Sequence, residues 1–437
     1  MSTSRRAFLG AAASAAAALG LPASQTVPWR RVPRSPRKPA RLMIVGVAGR
    51  GGDNLNGVAS EDIAVLCDVD SKHLQAAAAK FPNARLCADY RTILQDADTV
   101  AKLDGVVIST PDHSHFLPAM LALQQGLDVY CEKPLTHTVA QTRRLLATAT
   151  AKGCITQMGT QIHANANYRR VVEAIRGGAV GAVREVIVFV NGTDWSALQV
   201  PEPVPLPDYL DWDLWQGPAA VRPFTKDYHP MGWRRYWAFG GGTTADMGCH
   251  FVDLAFWALD LDAPTSLLAD GSEPHAECAP AALRCEYAFP ARGKRGALTL
   301  RWHGGKDRPE QELTSRGLKA WTNGVLFVGD DGWLISNYDK HEVGPEARKA
   351  TWKAPAESIA ASPGHHKEWL LACASRQQPS CAFSYAAPLT ETVLLANVGF
   401  RAARGKRLAW DAVAMRTDSA AANALLDSAA RDGFSIA

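Results

Sequence analysis

The run Arg41-Leu42-Met43-Ile44-Val45-Gly46-Val47-Ala48-Gly49-Arg50-Gly51-Gly52 decides the fold. Four apolar residues lead into a glycine, the pattern of a short buried strand that ends in a turn. Gly46, Ala48 and Gly51 occupy the three small-residue positions of G-x-G-x-x-G, with alanine in the middle, and Gly49 and Gly52 add two further positions without bulk. The residues that follow, VAGRGGDNLNGVAS, can open a helix. Strand, glycine turn and helix in that order form an anion cradle, because backbone N–H groups and a helix N-terminus reach a pyrophosphate only where no side chain intervenes. A degenerate form of the pattern is weak by itself, so its surroundings have to carry the reading.

Ile63-Ala64-Val65-Leu66-Cys67-Asp68 is a second strand ending in an acid, at a distance from Gly46 that suits a carboxylate taking the ribose hydroxyls of a dinucleotide. A carboxylate there repels a 2′-phosphate and so favours NAD over NADP. The competing reading makes Asp68 a helix cap together with Asp70 and Ser71. Further on, LDGVVIST (103–110) and LDVYC (127–131) alternate with helical stretches at 114–125 and 138–151. Such alternation predicts a parallel, doubly wound sheet whose ligands sit beyond the strand C-terminal ends. Thr110, Pro111, His113 and His115 after one strand, and Glu132 and Lys133 after the next, fall at that edge.

Beyond this unit, ITQMGTQIHANANYRRVVEAIRGGAVGAVREVIVFVNG reads as strand, loop, helix, glycine turn and a long strand of a second domain. Gln161, His163 and Tyr168 then lie near a domain junction, a favoured ligand site, and Gln161 and His163 are taken as substrate contacts, with loop polarity and capping as the simpler alternative. TTADMGCHFVDLAFWALD has apolar residues at helical spacing, which puts Asp246 and His250 on one face. Oxidising a CHOH group requires a base for the hydroxyl proton and a positive charge over the developing alkoxide. His250 suits the base, Lys133 the cation, and Asp246 a group that orients substrate or neighbour. Asp246, His250 and Asp253 also lie along one stripe and could hold a metal; His113 with His115, and His365 with His366 and Glu368, are further clusters. With one histidine in the stripe and capping sufficient for the others, no metal is assigned.

Six of the 13 tryptophans fall in residues 195–257, a segment too irregular for one element and too aromatic for a linker. It reads as an ordered loop framing a pocket. Trp233 and Arg234 are its candidate substrate contacts, since aromatic faces with charged rims suit a carbohydrate, and core packing is the alternative for any one tryptophan. Strand-like runs at 265–340 supply a second sheet, and helical stretches at 364–376 and 387–404 close that domain.

Taken together, GVAGRG, CDVD, VVISTPDHSH, CEKPL and DMGCHFVD resemble the Gfo/Idh/MocA family, the group of glucose-fructose oxidoreductase and inositol dehydrogenase, from about Arg41 to beyond residue 400. The resemblance implies an α/β protein: an N-terminal Rossmann domain at 41–160 with a doubly wound parallel sheet, then a substrate and oligomerisation domain at 161–437 with an open, largely antiparallel sheet. A homo-oligomer is expected on the same basis. Lys133 matches the lysine of the family's E-K-P element, and Asp246 and His250 match its catalytic acid and histidine. Glu132 and His113 match cofactor-side positions, which join Gly46, Ala48, Gly49, Arg50, Gly51, Asp68, Thr110, Pro111, His115 and Lys133 as the expected NAD contacts. Alanine at position 48 departs from the pattern conservatively and bears only on cofactor affinity.

The chain has 437 residues, 47% hydrophobic and 21% charged, which fits a folded globular protein of two domains. Eight basic residues and no acid fall in residues 1–41, so the rest of a chain of formal charge +4 is net −4, which argues against nucleic acid. Ser4-Arg5-Arg6-Ala7-Phe8-Leu9-Gly10 and the Ala-rich run after it read as a twin-arginine signal over 1–26, followed by a basic, Pro-rich linker at 27–40. The uncharged run is too weakly apolar for the roughly 20 residues of a spanning helix, so no stable membrane anchor is expected. Nine cysteines without a C-x-x-C pair suggest neither a zinc ribbon nor an assigned disulfide. The expected protein is periplasmic or secreted, handled by the twin-arginine machinery, and acts on a sugar or polyol with a tightly held, internally recycled NAD. The alternatives are an NAD-dependent glycoside hydrolase or lyase working by transient oxidation, and a non-catalytic sugar- or cofactor-binding protein.

Overall fold

The computed structural model describes residues 39–436. The expected signal at 1–26 and nearly all of the linker at 27–40 lie outside the described residues. Strand β1 (Arg41–Val45) is buried from Leu42 onward and lies between two parallel neighbours, β2 (Asp62–Cys67) and β4 (Gly105–Ile108). With β3 (Arg85–Cys87), β5 (Asp128–Cys131) and β6 (Thr156–Met158) they form a six-stranded sheet of order β3-β2-β1-β4-β5-β6 in which every pair is parallel. Strand order reverses between β1 and β4, and this opens a crevice at their C-terminal ends. Helices α1 (Arg50–Gly57), α2 (Ser71–Ala78), α3 (Phe116–Gln124) and α4 (Val139–Lys152) supply the crossovers. The stops are local chemistry: Thr138 caps α4 by accepting from the Gln141 N–H, and Gly153 ends it in the left-handed conformation, φ 62°.

Helix α5 (Ala166–Arg176), capped by Asn165, leads into the second sheet through β7 (Val183–Val190). The other strands are β8 (Ser266–Gly271), β9 (Ala282–Phe289), β10 (Leu298–Gly305), β11 (Asn323–Gly329), β12 (Gly332–Ser336), β13 (His341–Gly344), β14 (Arg407–Asp411) and β15 (Arg416–Thr417). Their order is β13-β12-β11-β7-β10-β9-β8-β14-β15, and every pair except β7 with β10 is antiparallel, as expected of an open, largely antiparallel sheet. Helix α6 (Gly242–Leu259) lies against β7, β10 and β11, and packs on α5. Eight of the nine cysteines are buried, and Cys87 is half-buried. Among the described residues no helix is long and apolar enough to cross a membrane.

One expectation needs correction. The two C-terminal helices, α7 (His365–Ser375) and α8 (Phe383–Ala403), do not both close the second domain. Helix α8 packs on α6, α4 and β8, whereas Trp369, Ala372 and Cys373 of α7 join Leu42, Ile44, Leu66, Val107 and Tyr130 in the core beneath the first sheet. The reason is space: Gly105 has no side chain, and a Cβ there would stand 3.2 Å from the Trp369 ring. Both ends of α7 are tied to the edge strand: Gln157 Nε2 donates to the carbonyl of His365 at its start, and Met158 donates to the Cys381 carbonyl beyond its end. Arg376 pairs with the buried Asp128 at 2.5 Å.

Trp369 is fully buried and its indole N–H has no partner. Trp369→Ala is expected to lower the unfolding free energy by about 3–5 kcal/mol, the usual cost of emptying so large a site. Trp369→Phe keeps most of the ring while removing the unpaired donor, and should cost less than half as much. Urea melts of the two variants check the pair of values.

Candidate active site

The glycine turn is built for close approach. Gly46 has φ 84°, and a Cβ on it would meet the Ser109 carbonyl oxygen at 2.7 Å; one on Gly51 would meet the Gly46 carbonyl oxygen at 2.2 Å. Gly49, φ 53°, faces open space and gives α1 no side-chain cap. The turn therefore leaves the N-terminus of α1 uncovered toward the crevice, where an anion would be held. Ala48 fits the turn, and Arg50, the first residue of α1, is half-exposed and pairs with Asp53 at 3.3 Å. Asp68 is not the helix cap. Asp70 caps α2, accepting from the N–H groups of Lys72 and His73, while Asp68 turns back to accept from Val47 and Asp70. Its carboxylate, raised by burial against those two backbone bonds, stands directly beside the glycine turn.

At the ends of β4 and β5 the loops tie together. Thr110 keeps a buried hydroxyl without a partner, and Pro111 leads a turn of 3-10 helix. The His115 ring nitrogens lie 2.8 Å from the carbonyl oxygens of Pro134 and Thr110, so this residue clamps one loop to the other. His113, expected at the cofactor, packs between Trp215 and Phe239, with Nε2 3.0 Å from the Trp215 carbonyl. Burial pushes both rings down, His113 to about 3 and His115 to about 4. Glu132 is likewise interior: its Oε1 accepts from Asn54 at 2.9 Å and Gln161 at 2.7 Å, and burial raises its carboxyl. Gln161, expected to touch substrate, thus braces Glu132.

Lys133, just beyond β5, meets Asp246 of α6. Lys133 Nζ donates to Asp246 Oδ1 at 2.9 Å and to the Asp246 carbonyl at 2.6 Å. Arg234 Nε adds a bond to Oδ1 at 3.1 Å and Trp195 Nε1 one to Oδ2 at 2.7 Å. Burial opposes its charge, but Lys133 and Arg234 outweigh burial and hold the Asp246 carboxyl well below the usual range. Burial likewise works against Lys133, and the Asp246 and Asp112 carboxylates overcome it, so the ammonium stays charged. His250 follows on the same helix. Its Nδ1 is buried without a partner, Tyr168 donates to its backbone carbonyl, and burial with the nearby Lys133 pushes the ring down to about 3.

Two expected substrate contacts are placed elsewhere. His163 is buried, its Nδ1 2.9 Å from Asp253 Oδ1 and its ring stacked on Trp257, while Tyr385 donates to the same carboxylate oxygen at 2.6 Å. That arrangement also takes Asp253 out of the metal stripe considered above. Trp233 is buried in an aromatic cluster with Trp212, Trp215, Tyr228, Tyr236 and Phe239, and serves as a floor 4.2 Å beneath the Arg234 guanidinium. Sequence reasoning overlooked Asn54, a fully buried hub that donates to Ser109 and Glu132 and faces His366 Nε2 at 2.8 Å. A polar residue on the buried face of so short a helix was its one visible signal. Asp112 was quoted only as part of a motif.

Residues 40–160 match the family model described as an oxidoreductase family, NAD-binding Rossmann fold, and residues 165–295 match that family's C-terminal alpha/beta domain. The two together cover more than half of the chain. The chain belongs to the Gfo/Idh/MocA family of oxidoreductases. Inositol 2-dehydrogenase of Salmonella typhimurium is 28% identical over 165 residues, 36% of this chain and 47% of that protein, so the match spans about half the length of this curated relative. D-xylose 1-dehydrogenase (NADP(+)) of Hypocrea jecorina is 23% identical over 342 residues, 75% of this chain and 78% of the other. Among solved structures, the WlbA dehydrogenase of Bordetella pertussis in complex with NADH and UDP-GlcNAcA superposes with a TM-score of 0.61 at 18% identity, over 86% of this chain and 99% of that one. The aldose-aldose oxidoreductase of Caulobacter crescentus gives 0.57 at 15% identity, over 85% and 100%. As a Gfo/Idh/MocA member the chain has an NAD-binding first domain, and the open glycine turn, Asp68 at its side and the unpaired Thr110 hydroxyl all fit that cofactor.

Asp112 gives a pH test of this geometry. Burial raises its carboxyl to about 7, with Lys133 and Arg234 pulling the other way. Between about pH 4 and pH 7 the folded protein therefore keeps on Asp112 a proton that the unfolded chain has released, and the contribution of this one residue to stability falls across that interval. Asp112→Asn removes the titration. Its stability relative to wild type should rise from pH 4 to pH 7 by about 3 kcal/mol and then level off, at about 1.4 kcal/mol per unit of pKa difference, as read from urea melts at stepped pH.

Proposed function

We propose that this protein oxidises a CHOH group of a sugar or polyol, using NAD held at the glycine turn. The observation that carries the reading is the Lys133–Asp246–Arg234 array, a charged lysine fixed by a carboxylate from the other domain, with neutral His250 one helical turn beyond Asp246. Lys133 places its charge over the substrate oxygen, which makes the hydroxyl more acidic and stabilises the alkoxide as it forms. His250, neutral and with a ring nitrogen free of protein partners, takes the hydroxyl proton. Asp246 orients Lys133 and keeps it protonated; it is too strongly paired to act as a base. NAD, when bound, supplies the acceptor for the hydride. Gly46, Ala48, Gly49, Arg50 and Gly51 would hold its pyrophosphate, Asp68 its ribose, and Thr110 and Pro111 would flank it. The aromatic segment supplies Trp195 beside Arg234 as an apolar wall suited to the C–H face of a sugar ring.

The location belongs to the same proposal. The Arg5-Arg6 pair and the Ala-rich run after it support twin-arginine export to the periplasm or beyond. Away from a nicotinamide pool, such an enzyme must retain its NAD and restore it in every turnover. Denaturing the purified protein, with no cofactor added at any stage, should release close to one nicotinamide nucleotide per chain. An empty protein that also fails to bind added NAD would refute the enzymatic reading. Lys133→Ala should keep NAD binding, measured by quenching of protein fluorescence, while kcat/KM for the responsive sugar drops by about 10²–10³; full activity in that variant would overturn the role given to Lys133.

A further inference from the structure

The aromatic segment meets the first domain at a cluster that the reaction does not use. Asp70 and His73 stand on the first turn of α2, and His229 comes from the segment between β7 and α6. Asp70 Oδ1 accepts from the backbone N–H groups of Lys72 and His73, which fixes the carboxylate and leaves Oδ2 to face the two imidazoles. His229 Nε2 lies 3.0 Å from Oδ2, His73 Nδ1 lies 3.6 Å from it, and all three atoms lie within 4.8 Å of one another.

We propose that Asp70, His73 and His229 bind one zinc ion. Bonds of 2.0–2.2 Å at tetrahedral angles separate neighbouring ligand atoms by about 3.3–3.5 Å, and the two distances to Oδ2 bracket that value. Two imidazoles and one carboxylate form a donor set suited to zinc rather than to calcium or magnesium, which prefer oxygen alone. The Asp70 side chain is 2% exposed and that of His229 12%, while His73 is 33% exposed, so the open side of the cluster faces solvent and leaves the fourth position to water. That side opens into a cleft of about 470 Å³ bordered by Tyr209, Phe224, Lys72 and Lys226. The two lysines oppose a cation, and Lys72 Nζ is drawn 3.7 Å over the Tyr209 ring. Without metal, a proton joins His229 to Asp70. Zinc takes the place of that hydrogen bond. The ion ties the segment bearing Arg234 to the strand end bearing Asp68, and so couples the two sides of the cofactor crevice.

The test uses the full chain stripped with chelator and titrated with zinc chloride in a calorimeter, and with Co²⁺ followed by visible absorption. Expected are one ion per chain, the intense bands of four-coordinate Co²⁺, and a zinc-dependent rise in melting temperature. His73→Ala, which leaves the Asp70–His229 bond in place, should melt like the wild type without metal, lose that rise, and bind at least about tenfold more weakly. Zinc binding that is absent, or that is unchanged in His73→Ala, would overturn the proposal and leave the three residues as a hydrogen-bonded clasp.

Discussion

The contact on which the rest depends is the bond between Lys133 and Asp246. It joins the end of a parallel strand in one domain to the first turns of a helix in the other, with both charges largely withdrawn from water. A buried pair of this kind is a poor source of stability, because desolvation consumes most of the attraction. Here it fixes geometry. Lys133 spends one hydrogen bond on the carboxylate and another on the backbone carbonyl of the same residue, so its ammonium cannot swing independently of α6. Arg234 and Trp195 complete the carboxylate's shell from a third direction, bringing the aromatic segment under the same constraint.

Around that centre the protein uses neutral histidines as mechanical parts. His113, His115 and His365 are buried, pushed toward the uncharged form, and hydrogen-bonded to backbone carbonyls of neighbouring loops. Each carries its bond from an apolar ring that packs on aromatic or aliphatic neighbours, which suits loops that must be rigid without extra charge near a dinucleotide. His250 differs in place: it follows Asp246 by one turn of α6, where burial and the nearby Lys133 push its ring down.

The local parts of this picture were legible in the sequence. The glycine turn announces itself because sterics there exclude side chains, and that demand is written in consecutive residues. The D-x-x-x-H spacing on an amphipathic helix placed Asp246 and His250 on one face. Asp68 against Asp70 was harder, since both follow the same strand and either could cap; the structure separates them by a two-residue difference in where the helix begins. What could not be read was long-range. His163 meets Asp253, Asn54 meets Glu132 and His366, and Trp369 lies beneath Gly105, pairings that no periodicity encodes. The Trp-rich segment was recognised as ordered, but which tryptophans face the site and which form its floor depends on packing alone.

The position of α7 has a consequence for how the molecule is made. The core under the first sheet is closed by Trp369 and Cys373, and the buried Asp128 is neutralised by Arg376, 248 positions further along the chain. A ribosome that has released the whole dinucleotide-binding unit has therefore produced a sheet with part of one face uncovered and a carboxylate without its counter-charge. That half-finished body must wait for the second domain to be threaded out before it can settle, so its two halves mature together rather than in succession.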